Sequence, residues 1–328
     1  MRLRIFALLL TLLSAEPALA EALAIDVNSR PIETFRIGSS ETKFGAFTFV
    51  GGLEMTSYDR NFGSLSGWRF RDAGSDVLSV SDNGFWLSGW LERDASGIPL
   101  GFGRVLIAEM TNGAGEANSE KWNSDAESLL TDGDQVTVGF ERRHRISTGT
   151  LDPATLIFSS KDEPLPVPTR ELRSNRGFEA IAKSPATSPL AGARIVVTEK
   201  SLDSRGNLFA GILDGPQKGQ FSVVRDGAFD VSDGDFLPNG DLLLLERRFS
   251  MAQGVAMRIR RIKGSDIVKG AVVDGETVLE ADMAYQIDNM ECLDVWERGD
   301  GATMVSLASD DNHSILQRNL YLEFEFQE

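Results

Sequence analysis

Residues 233–250 read DGDFLPNGDLLLLERRFS. The stretch opens on acids, crosses a short apolar segment, turns at Asn239-Gly240 and returns through four leucines to Glu246. Asn-Gly between two apolar runs is the strongest short-range hairpin signal, because both turn positions need positive φ. Outward from this stretch the same grammar recurs. VTVGFERRHR (136–145), ARIVVTEKS (193–201) and TMVSLASDDN (303–312) are short, rich in Val, Leu and Phe, and bounded by turn residues. That pattern is all-β.

The grammar is also a repeat. Five times a small or acidic residue opens a strand, a turn follows, and a second strand ends in a carboxylate. The pairs are Ser66 with Asp82, Glu127 with Glu141, Glu179 with Glu199, Asp235 with Glu246, and Glu291 with Asp310. In an antiparallel hairpin, such residues lie opposite each other. The midpoints fall on Gly74, Asp134 after Asp132-Gly133, Pro189, Asn239-Gly240 and Asp300-Gly301, all turn residues. First members lie 61, 52, 56 and 56 residues apart, which suits one four-stranded sheet per unit. Such sheets bury both faces only when arranged around an axis, so the expected fold is a β-propeller. Five blades account for every residue, with six as the alternative. AFTFVGGLEM (46–55) is expected to supply an outer strand beside the C-terminal LYLEFEF (320–326) and close the ring.

Composition narrows the function. The 328 residues carry 49 acids against 33 basic groups, a formal charge of −16. An acidic surface repels phosphate backbones, so nucleic acid is an unlikely class of partner. One cysteine, Cys292, leaves no internal disulfide and no cysteine-based metal site, and two histidines leave little room for histidine-rich metal chemistry. Residues 1–20, MRLRIFALLLTLLSAEPALA, read as a signal peptide with a basic start, a short apolar centre and Ala18-Leu19-Ala20 before the cut. A second cut is available after residue 24. The mature chain, 25–328, is expected to be one exported domain without membrane insertion, periplasmic in a Gram-negative source and otherwise secreted.

In a propeller the five pairs converge on one mouth of the central channel. Carboxylates so crowded raise one another's pKa unless a cation compensates. Calcium, which takes six to eight oxygen ligands, is one such cation, and the expected ligands are Asp82, Glu127, Glu141, Glu179, Glu199, Asp235, Glu246, Glu291 and Asp310. Arginine is the other. Glu141-Arg142-Arg143 and Glu246-Arg247-Arg248 repeat in two units, and guanidinium forks suit a phosphate or carboxylate. His144 joins Arg142, Arg143, Arg247 and Arg248 as an expected contact to a small anionic ester. Glu127, Glu179 and Glu291 are the expected general bases.

SLSGW…VSDNG, DAESL…FERRHRI, NRGFEAI, DGDFLPNGDLLLLERRFS and IDNMECL…SDDNHSILQR resemble the phytase-like family, whose members are described as having esterase-like activity of phytase. The resemblance runs from about Ala46 to the C-terminus. It implies an exported propeller, distantly akin to calcium-dependent propeller phytases, that hydrolyses phosphate or carboxylic esters. One departure is Cys292, where the family pattern implies glycine. Three activities follow as alternatives: a calcium-dependent phosphoesterase, placed first for its doubled Glu-Arg-Arg; a carboxylic esterase or lactonase; and a non-catalytic ligand-binding propeller with structural calcium.

Overall fold

The computed structural model describes residues 22–111 and 121–328, so the signal peptide of residues 1–20 lies outside the described residues. A cut after residue 24 would fall inside the strand Leu23–Ile25, which pairs with Val105–Ile107. Five sheets follow one another along the chain, antiparallel but for the pairing of Gly219–Val223 with Val272–Val273, and helix is confined to three very short segments among the described residues. No described helix is long and apolar enough to cross a membrane.

The inner strands of the five sheets are Leu65–Phe70, Ala126–Asp132, Phe178–Lys183, Asp230–Phe236 and Asn289–Glu297. Each packs against the next, and the fifth packs against the first, so the sheets are the blades of a closed five-bladed propeller. Closure works as the sequence implied. The N-terminal strand Phe47–Ser57 pairs with the C-terminal strand Asn319–Phe326, Phe49 opposite Phe324 and Leu53 opposite Tyr321. The fifth blade is thereby built from strands at both sides of the chain, and this pairing closes the ring.

The core lies between blades. Leu242, Leu243, Leu244 and Leu245 are all fully buried, because a neighbouring blade covers each face of their strand. An alternating pattern would have exposed every second one. The hairpins turn at the glycines the sequence marks: Gly74, Gly133, Gly240 and Gly301 sit at positive φ, whereas Asn239 and Asp300 do not, because the turns close from Leu237 to Asp241 and from Arg298 to Ala302. Side chains at Gly74 or Gly240 would also collide, with Trp296 and with Ser188 respectively.

Candidate functional site

Every inner strand carries one β-bulge near its start. The register skips at Ser66, Glu127, Glu179, Ser232 and Glu291, in blades one to five respectively. A bulge leaves one residue unpaired and re-aims its side chain. Four of the five, all but Ser232, line a cavity of about 280 Å³ at one mouth of the channel. On the neighbouring strand, the residue one past the partner of the residue before each bulge is Asp82, Glu141, Glu199, Arg247 and Asp310 in turn, and all five line the same cavity. Asp125, Arg142, Asn175, Asn289 and Asn312 complete it.

Eight of the ten ring positions expected from the sequence therefore meet. The fourth pair does not, and is corrected. Asp235 pairs across to Leu243, three residues beyond the bulge, and faces the opposite end of the channel, where it accepts the backbone N–H of Val295 at 3.0 Å. Glu246 is buried outside the mouth, clamped by Arg258 at 2.5 Å and by Nε of Arg260 at 2.8 Å. Ser232 and Arg247 occupy the places assigned to them. The sequence does hold a signal for this. An apolar residue precedes every bulge (Leu65, Ala126, Phe178, Val231, Met290), and aligning on it selects Ser232.

Ser232 turns its hydroxyl to the carbonyl of Met290 at 2.9 Å, so blade four adds a cation to the mouth and no carboxylate. Nε of Arg247 lies 2.8 Å from Glu291, and its Nη2 lies 3.7 Å from Glu199. Arg142, held at positive φ, is paired with Asp125. Other expected anion contacts lie elsewhere. Arg143 is exposed and lines a separate groove, and Arg248, next in line after Arg247 on a strand, points away to Gln253 and the ring of Phe229. His144 sits behind Glu141, where a side chain at Gly177 would strike its Nδ1 at 2.9 Å. Burial lowers its pKa, and the backbone at Arg173 opposes the shift. Asp311, near the ring, ties blades instead: it accepts the N–H of Ser64 at 3.1 Å and the amide of Asn319 at 2.9 Å.

Among the described residues two arginines, Arg142 and Arg247, line the mouth beside eight carboxyls. Burial raises Glu127 and Glu179 well above the ordinary carboxylate range, and neighbouring acids push the same way. Burial likewise lifts Glu141 to about 7 despite the N–H of Gly177, and Glu291 to about 7 despite Arg247. Asp310 rises to about 8 through burial and the nearby charge of Glu291. Positive φ at the non-glycine residues Ser64, Arg142, Asn175, Asn312 and His313 concentrates backbone strain in the loops around this mouth, as functional sites often do.

The acids form two groups with metal-ligand spacing. Asp125, Glu127 and Glu141 bring carboxylate oxygens within 4.8 Å of one another, and so do Glu141, Glu179 and Glu199. Glu141 belongs to both. A set of hard oxygens on this scale fits a calcium-sized cation. Among the described residues no comparable group includes Cys292, which is fully buried.

A five-bladed propeller with a carboxylate-lined mouth is the class that fold and site define. The profile of the family described as phytase-like, esterase-like activity of phytase, matches residues 60–313, and the chain belongs to that family. No curated protein matches the chain. Among solved structures, a PQQ-bound aldose sugar dehydrogenase from Streptomyces coelicolor is similar over 92% of this chain and 100% of its own, at 12% identity and a TM-score of 0.39.

Proposed function

We propose that the protein is an exported, calcium-dependent hydrolase of phosphoric esters that works at the carboxylate mouth. The observation that carries this reading is the pair of carboxylate trios sharing Glu141, with Arg247 set between Glu291 and Glu199 of the second trio. Asp125, Glu127, Glu141, Glu179 and Glu199 would hold the cation. When bound, calcium supplies charge that polarises an ester oxygen and acidifies water. Arg247 offers guanidinium N–H groups to the phosphate and stabilises charge that develops on it in the transition state. Glu291 stands outside both trios, fixed by Arg247 and by the Asn289 amide at 2.8 Å, and takes the proton of the attacking water. Arg142 is committed to Asp125 and orients that ligand. The arginine in place of an acid in blade four is the reason for placing phosphate ahead of a carboxylic ester.

Purified full-length chain, assayed on a phosphomonoester and a short carboxylic ester with calcium or with chelator, tests the reading. Calcium-dependent phosphate release, reduced at least a hundredfold by Glu291→Gln in a folded variant, is expected. Cleavage of only the carboxylic ester moves the chemistry to acyl transfer, and silence on both leaves a binding propeller.

A further inference from the structure

The exposed apolar side chains of this molecule are not scattered evenly. Phe249, Met251, Met283, Ile315 and Leu316 are 66%, 94%, 59%, 101% and 87% exposed, and they belong to three segments of blades four and five: the end of the strand Leu242–Ser250 with its turn, the link from blade four to blade five, and the turn before Asn319–Phe326. A groove of about 530 Å³ runs between those segments, lined by Phe249, Val255, Met283, Ile287 and Leu316, with Arg318 at its edge. Clustered exposed apolar surface marks a place where something apolar binds.

The same three segments build the mouth. Arg247 stands two residues before Phe249 on one strand, so both project to the same face, about 7 Å apart. Asp288 lines the groove and Asn289 the mouth; Ser314 lines the groove and Asn312 the mouth. An ester whose phosphate sat at Arg247 would thus have Phe249 and the groove, which adjoin the mouth, as a path for its organic group. Polyphosphorylated sugars have no use for such a path, because they would leave the apolar lining in contact with hydroxyls and charge.

We propose that this groove is the leaving-group subsite and that the substrate is an amphiphilic phosphoester, an anionic head on an alkyl chain. The proposal rests on the phosphoester reading of the mouth. Water adds to phosphorus, the P–O bond to the alkyl group breaks, the alcohol leaves with a proton, and inorganic phosphate remains at Arg247. Met283 and Leu316 supply flexible, unbranched or γ-branched surface that adapts to a chain without fixing its geometry.

Titration calorimetry of the full chain with calcium present tests this, using inorganic phosphate, butyl phosphate and octyl phosphate below its micelle concentration. Octyl phosphate is expected to bind at least tenfold more tightly than butyl phosphate. Leu316→Asp and Met283→Asp, both on exposed side chains, should erase that gain and leave inorganic phosphate binding unchanged. Equal affinity for the two alkyl phosphates, with phosphate itself bound, overturns the subsite and spares the mouth. No binding of any of the three overturns the phosphoester reading and the subsite with it. A dimer in the parent chain that Leu316→Asp dissociates, or vesicle binding that it abolishes, assigns the groove to a second copy or to a lipid surface and also overturns the proposal.

Discussion

The two ends of the channel are both acidic, yet they solve the problem of buried charge differently. At the end opposite the mouth, Arg69 lies fully buried and forks onto Asp233 with two bonds of 2.8 Å. Asp233 also accepts the backbone N–H of Leu293 at 2.8 Å, and Asp294 accepts that of Phe70 at 2.8 Å. Burial raises Asp294 to about 8 against the pull of Arg69. Carboxylates on one inner strand thus satisfy the backbone of the next, and the layer stitches blades one, four and five together. The mouth has the reverse economy: among the described residues seven carboxyls face it besides Asp125, which is tied to Arg142, and Arg247 is the further cation lining it. One layer is internally complete. The other, on the reading proposed above, is completed by a bound cation.

Neutralising a single carboxylate should therefore have opposite consequences at the two ends. The largest effect is expected from Asp233→Asn, which leaves Arg69 without its ion-pair partner in a site closed to water; denaturant unfolding should show a loss of about 3–5 kcal/mol. At the mouth, Glu141→Gln keeps an oxygen for the N–H of Gly177 but removes the carboxylate common to both trios. In chelator it should unfold at or above the parent's midpoint. In calcium at a hundredfold excess over Kd it should lack the parent's stabilisation of about 2.7 kcal/mol. A Glu141→Gln variant that is destabilised in chelator would show the mouth to be as self-sufficient as the Arg69 layer.

Titration sharpens the same contrast. A carboxyl whose pKa is raised in the folded state binds more protons folded than unfolded, so stability falls as pH rises between the two values. For Glu141 and Glu291 that window runs from the ordinary carboxylate range to about 7, and for Asp310 to about 8. In chelator the melting temperature should drop by about 2–4 °C for each ~1 kcal/mol so lost between pH 5 and 8. Calcium should reverse the drop, more at pH 8 than at pH 5, because it binds the ionised form. A melting temperature that climbs with pH in chelator contradicts the unbalanced mouth. The smallest change is expected from Arg248→Ala, within about 0.5 kcal/mol and without effect on phosphate affinity. Arg247→Ala, its neighbour, should lower that affinity at least tenfold.

Ring and closure were legible in the sequence because both depend on local chemistry. Asn239-Gly240 and Asp300-Gly301 can be little else than turns, and four buried leucines in succession need a covered strand. The aromatic strands near the two ends of the chain were left without partners by every other hairpin, which paired them with each other. Eight mouth positions, seven of them carboxyls, were legible too, since the two members of each pair lie at equal distances on either side of their turn.

Blade four shows where local reading stopped. Asp235 and Glu246 flank the Asn239-Gly240 turn as well as any pair in the chain, and both are acids. The bulge, though, falls at Ser232, and a bulge shifts every later side chain to the other side of the pairing count. Which residue is bulged depends on the packing of the blades on either side, through contacts such as Ser232 with Met290 and Asp233 with Arg69, between residues 58 and 164 apart in sequence. Strand composition, turn chemistry and the supply of acids were thus properties of the sequence alone. The tertiary structure decided which of those acids meet in the mouth and which disappear into Arg258, Arg260 and the Arg69 layer, and it placed Arg247 among them, because register across a ring is set by all five blades at once.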